Sequence, residues 1–128
     1  LLEIESFGGI RMARAMLDDS EMIQRFSFYH GRRSRALIDE WTSMWLSLEN
    51  GNWEIKEELK TIQHPLCLIQ GDNDNFGTFK QLEITSELAQ TDDVEIHHIH
   101  DCGHIPHLQK SEEILKITID FITRLLQE

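Results

Sequence analysis

The sequence predicts an α/β protein: part of a parallel sheet with its helices, preceded by a helical segment. Three observations carry this. From Pro65 onward the chain reads strand, helix, strand, helix with short connections, the order that builds a parallel sheet. The run Leu66-Cys67-Leu68-Ile69 is apolar at every position, as a strand covered on both faces must be. Before Pro65, residues 5–64 show helical periodicity and little sign of strand.

In order along the chain, residues 1–4 are a short apolar tail, expected to end a core strand. Asp18-Asp19-Ser20 offers helix caps ahead of Met22, Ile23, Phe26 and Tyr29, an apolar stripe at i, i+1, i+4 and i+7. Gly31 separates that helix from the next, where Leu37, Trp41, Met44, Trp45 and Leu48 repeat the stripe. Asn50-Gly51-Asn52 is a turn, and residues 55–59 read as a short helix. After the apolar strand, Thr78 and Gln81 have the spacing of a capping box, with Leu82 and Leu88 as the apolar contacts of the helix they start. Asp92-Asp93 turns the chain into a second strand over 94–100. A loop holding Gly103 and Pro106 leads to the last helix. Ser111 is expected to cap it, Glu112 and Glu113 suit its first turn, and Ile114, Ile117, Phe121 and Leu125 form its stripe. The expected division is therefore 1–4 as the end of a strand, 5–64 as a helical insertion, and 65–128 as an α/β segment.

Composition removes several classes of function. With 40% apolar and 27% charged residues over 128 positions, the chain has the balance of a globular domain. Twelve basic residues against 23 acidic ones leave a net charge of −11, so no nucleic-acid or anionic-membrane partner is expected. No apolar run approaches the roughly 18 residues of a membrane span. Two cysteines, Cys67 and Cys102, are too few for a disulfide scaffold and read as free thiols in a reducing, cytoplasmic setting. The chain starts on Leu1 rather than Met, which fits a processed product or a piece of something longer.

In open parallel sheets the ligand site lies beyond the carboxyl ends of the strands. Two polar clusters stand there: Gly71-Asp72-Asn73-Asp74 after the first strand and Asp101-Cys102-Gly103-His104 after the second. If the strands are neighbours, a carboxylate meets an imidazole. The carboxylate would accept one ring N–H, fix the tautomer, and leave the other nitrogen as a base. On its own, an Asp in a Gly/Asn/Asp turn is more often a turn former; of the two, Asp72 is the expected turn residue, with a two-residue slip between it and Asp74 left open.

These same residues resemble the α/β-hydrolase family. Pro65-Leu66-Cys67-Leu68-Ile69-Gln70-Gly71-Asp72-Asn73-Asp74 is similar to the stretch holding that family's last-but-one strand and its acid. Asp101-Cys102-Gly103-His104-Ile105-Pro106-His107 is similar to the segment carrying its histidine. The resemblance implies Asp74 as the catalytic acid and His104 as the catalytic base, and residues 1–64 as the end of a strand and a helical cap. It implies a serine hydrolase acting on a small, largely apolar ester or related substrate, with no cofactor and no metal. The chain departs from the family in one respect: it has no Gly-x-Ser-x-Gly elbow, and Ser20, Ser27, Ser34, Ser43 and Ser47 all lie in the helical block. It therefore reads as the C-terminal half of such an enzyme, supplying acid and base without the nucleophile and inactive by itself.

Two further clusters have competing readings. His97, His98, His100, His104 and His107 crowd one short stretch, but strand alternation points His98 and His100 away from His97, and no zinc-ligand spacing is present. Arg32, Arg33 and Arg35 are either a solvated helix start or a phosphate or carboxylate site. Phe26, Phe28, Tyr29, Trp41, Trp45 and Trp53 supply the cap's own core, with one or two available to a substrate pocket. The rival readings are a non-catalytic hydrolase-like module that works by association, and a His-rich metal-binding module. Both the first and the enzymatic reading expect a partner at the open sheet edge: a second copy or the missing N-terminal half.

Overall fold

The computed structural model describes residues 6–47 and 55–127. The expected strand at 1–4, the turn Asn50-Gly51-Asn52, Leu48 and Trp53 lie outside the described residues. In chain order the elements are α1 (Ser6–Ala15), α2 (Ser20–His30), α3 (Ser34–Ser47), α4 (Lys56–Leu59), β1 (Leu66–Gly71), α5 (Lys80–Leu88), β2 (Val94–Ile99), α6 (Pro106–Gln109) and α7 (Ser111–Leu125). Single 3₁₀ turns, Met16–Asp18 and Gly31–Arg33, link the first three helices. No described helix is long and apolar enough to cross a membrane.

The helical block is held by small residues. Phe7, Ile10 and Ala13 of α1 are buried against an α3 face made by Ser34, Ile38 and Thr42. This moves the α3 seam one residue from the stripe expected from its large apolar side chains: Trp41 and Met44 are 40% and 51% exposed. The reason is steric. Ser34 and Thr42 let α1 approach closely, and both can be buried because their hydroxyls donate to the Gly31 and Ile38 carbonyls at 2.8 and 2.7 Å. Arg14 locks the pair from its edge, reaching Asp39 at 2.9 Å, Ser43 Oγ at 2.6 Å and Thr42 Oγ1 at 3.2 Å. Asp19 caps α2, its Oδ1 accepting from Glu21 and Met22 N–H. Gly31, with φ of 58° and ψ of −140°, ends that helix in a backbone conformation open to glycine.

β1 and β2 pair in parallel, with Leu66 opposite Val94 and Gly71 opposite Ile99. β2 stops at Ile99, one residue short of the expected end. Thr78 Oγ1 accepts from Lys80 N–H, while Gln81 N–H is taken by the Thr78 carbonyl, so α5 starts two residues beyond Thr78. Ser111 is the first helical residue of α7 rather than its cap, because Lys110 occupies the cap position. The α7 stripe reads as expected: Ile114, Ile117, Phe121 and Leu125 are half-buried, while Leu115 and Leu126 are exposed. Arg124 ties α7 to the start of β2, gripping both Asp93 oxygens at 2.6 and 3.0 Å and Glu95 at 3.0 Å.

The carboxyl ends of the strands are the tightest place in the sheet. Ile99 and Cys102 are each 1% exposed, and a Cβ on Gly71 would overlap the Cys102 carbonyl. Gly71→Ala is therefore expected to destabilise the chain by about 1–3 kcal/mol, the usual cost of overpacking. Gly8, in the first part of α1, has nothing within 4 Å of its missing Cβ, so Gly8→Ala should raise stability by about 0.5–1 kcal/mol. Urea unfolding midpoints of the two variants check both, and equal shifts would refute the packing account.

Candidate functional site

Parallel pairing sends both strands' exit loops to the same edge of the sheet. Backbone bonds then stitch the loops together: Asp72 N–H donates to the Ile99 carbonyl at 3.0 Å, and Asn73 N–H to the Cys102 carbonyl at 2.8 Å. Asp101 makes the turn out of β2 with φ of 50°. The side chain of Asp72 faces this seam. It accepts from Cys102 N–H at 3.2 Å and from His100 Nδ1 at 3.3 Å. The Cys102 N–H first, and His100 after it, hold the Asp72 carboxyl below the usual carboxylate range.

Asp74, two residues on, points elsewhere. Its side chain is 10% exposed, and its Oδ1 accepts from Phe76 N–H at 2.8 Å, the local bond of an Asx turn. Gln70 Nε2, from the last turn of β1, donates to Oδ2 at 3.2 Å. His104 completes the set, with Nδ1 3.0 Å from Oδ1 and 3.1 Å from Oδ2. Against an ionised carboxylate, which only accepts, Nδ1 is the donor, and in the neutral ring that arrangement leaves Nε2 its lone pair. Gly103 N–H donates to Gln109 Oε1 of α6, which steadies the loop just before the imidazole. The structure thus brings Asp74 and His104 together and sets Asp72 on the neighbouring His100 instead.

The surroundings are partly aromatic. The His104 ring lies 4.7 Å from the Phe76 ring, centroid to centroid, and Trp41 of α3 meets Phe76 edge-on at 6.2 Å. Gly9 of α1 sits where a Cβ would strike the Asn75 carbonyl, so the helical block rests directly on the Asp74 loop. Beside the pair is a cavity of about 360 Å³ lined by Asp74, His104, Gln70, Phe76, Leu82 and Thr85 among others. Gln70 is 7% exposed, and its Oε1 is buried without a hydrogen-bond partner among the described residues.

Neither Gln70 nor Phe76 is among the site residues expected from the sequence, which leaves Trp41 as one of six candidate pocket aromatics. A glutamine closing an otherwise apolar strand is a legible signal for the first. Nothing in the sequence marks which aromatic of the helical block meets the loop. The histidine cluster disperses: His97 Nε2 lies 3.3 Å from Glu95, His98 stacks on Phe79 at 3.7 Å, and His100 turns to Asp72. Among the described residues no three His, Cys, Asp or Glu side chains converge as metal ligands. Cys67 and Cys102 are free thiols that burial pushes up from the ordinary thiol range.

Asp72 makes a pH test available. Its carboxyl is held low in the folded state, so its contribution to stability is present above the ordinary carboxylate range and is lost as pH falls through the lowered value. Asp72→Asn should be less stable than the parent at neutral pH and should lose less on acidification. Urea midpoints measured from neutral to acid pH check this, and parallel pH profiles for parent and variant would reject it.

No protein-family model matches the chain, and no curated protein matches it. A solved structure that does match is that of a His-tagged serine hydrolase involved in carbazole degradation, the CarC enzyme. The two superpose with a TM-score of 0.61 and 21% identity over 94% of this chain, which spans 48% of the length of that one. At that identity the likeness is one of fold alone, to about half of that chain.

Proposed function

We propose that this chain supplies the acid and the base of a serine hydrolase, with Asp74 as the acid and His104 as the base. The observation that carries the reading is the Asp74–His104 hydrogen bond of 3.0 Å at the carboxyl edge of a parallel pair of strands. In this reading Asp74 holds the imidazole in the Nδ1–H tautomer and stabilises the imidazolium formed during turnover. His104 Nε2 takes the proton from a serine hydroxyl as it attacks an acyl carbon, then returns it to the leaving group. Phe76, Leu82 and Ile69 give the neighbouring cavity apolar walls, which suits a small, largely apolar ester or related substrate. Side chains perform both proton transfers, so the chemistry calls for no cofactor. The two free thiols fit a reducing, cytoplasmic setting.

The serine enters from outside this chain. Serines of the helical block direct their hydroxyls locally, Ser27 to the Ile23 carbonyl and Ser47 to the Met44 carbonyl, for example. In a longer protein carrying a Gly-x-Ser-x-Gly segment ahead of this chain, His104→Ala should abolish ester turnover while leaving the fold intact. Asp74→Asn should lower kcat by about 10⁴-fold, because the amide orients the wrong tautomer. Hydrolysis of a chromogenic short-chain ester checks both. Undiminished turnover in His104→Ala would leave the pair a structural contact in a non-catalytic module.

The surface supports an association partner in either reading. Among the described residues the sheet has two strands, so each strand has one edge with no strand beside it. Leu115, Ile119, Ile122 and Leu126 form an exposed apolar stripe along α7, at 61%, 52%, 49% and 82% exposure. Phe28 and Tyr29 of α2 are also exposed. At about 25 cal/mol for each Å² of apolar surface, covering this stripe favours association before its entropic cost is met. The chain pairs with a second copy or with an N-terminal hydrolase half. Sedimentation at micromolar concentration should give a mass above that of one chain, or a one-to-one complex when that half is supplied. A monomeric mass in both cases, with a cooperative melt, would overturn this.

A further inference from the structure

A second cavity, larger than the one beside Asp74 and His104, lies within the helical block. About 610 Å³ in volume, it is lined by Arg14, Leu17, Asp18, Arg32, Arg35, Ala36 and Asp39, and it shares no lining residue with the cavity beside Asp74 and His104. Three of its walls' seven side chains are arginines, in a chain whose net charge is −11. Guanidinium groups set side by side repel one another unless something negative lies between them.

The local structure explains how they meet. Gly31 ends α2 with positive φ, and the 3₁₀ turn Gly31–Arg33 runs straight into α3. Arg32 and Arg35 are three residues apart across that junction, which puts them on one side, while Arg33 lies off the cavity. Arg14 comes across from α1 and is held in place by Asp39, Ser43 and Thr42. Asp39 therefore answers Arg14. Arg32 and Arg35 make no ion pair or hydrogen bond among the described residues and are left facing the cavity with Asp18. Leu17 and Ala36 give it an apolar portion.

We propose that this cavity binds a small organic oxyanion, a phosphate monoester or a carboxylate. The planar guanidinium forks of Arg32 and Arg35 match two oxygens of such a group. Leu17 and Ala36 take the ligand's short apolar part, and Asp18 accepts from a hydroxyl or ammonium on the same molecule. Arg14 acts as a fixed wall, its orientation set before the ligand arrives.

Binding is measured by calorimetry on the whole chain at low, constant ionic strength, with inorganic phosphate and succinate as separate probes and chloride as the control. Saturable binding of either probe with a Kd on the order of millimolar supports the site, and the tighter probe names the class of oxyanion. Arg32→Gln and Arg35→Gln should each weaken that probe by roughly tenfold, the loss of a charge-assisted pair. Arg33→Gln, in the same basic run but off the cavity, should leave Kd unchanged. All three arginines are exposed, so circular dichroism is expected to show intact folds. No saturation by either probe, or equal weakening in the Arg33→Gln variant, would overturn the proposal and leave the arginines as a solvated helix start.

Discussion

The parallel pairing of β1 with β2 is the constraint on which the candidate site depends. Its register sets Gly71 opposite Ile99, so the two exit loops leave side by side. Their backbones then exchange bonds, Asp72 N–H to Ile99 and Asn73 N–H to Cys102. That contact is only possible because position 71 has no Cβ to strike the Cys102 carbonyl. Residues 30 apart in sequence, Asp74 and His104, are thereby placed within one hydrogen bond. A shift of register by one residue would turn the strand faces over and separate them.

Two neighbouring aspartates divide the labour around that seam. Asp72 fastens the second loop to the first through the Cys102 N–H and His100, and its lowered pKa reflects those donors. Asp74 is nearly buried and collects donors from Phe76, Gln70 and His104. A buried carboxylate with that many donors is satisfied and held in one orientation, which in turn orients the imidazole. The helical block contributes from the other side. Gly9 lets α1 lie against the Asn75 carbonyl, and Trp41 reaches Phe76, which packs on the His104 ring. The pair thus sits between a sheet edge that positions it and a helical block that covers part of it.

Large apolar side chains do not always mark the buried face. The helical periodicity of α3 is plain in the sequence, yet its seam runs along Ser34, Ile38 and Thr42, and Trp41 and Met44 face outward or toward the loop. The same holds for α2, where Phe28 and Tyr29 are exposed. Periodicity reports that a helix has an apolar face. Which face is covered depends on how near the partner helix can come, and small residues decide that distance.

The amino-acid order by itself determined the parallel strand–helix–strand–helix succession, a helix cap within Asp18-Asp19-Ser20, the stop at Gly31, the α7 stripe, and the two loops where an acid and a base would stand. Each of these is a local matter of periodicity, capping chemistry or turn chemistry, legible within a few residues. The family resemblance named Asp74 and His104, but tertiary structure decided that their side chains meet and that Asp72 turns to His100. It also decided that Gln70 and Phe76 brace the acid, and that Arg14 joins Arg32 and Arg35 around one cavity. Those outcomes rest on contacts between segments tens of residues apart, set by strand register and helix approach, and no local pattern encodes a distance across the fold.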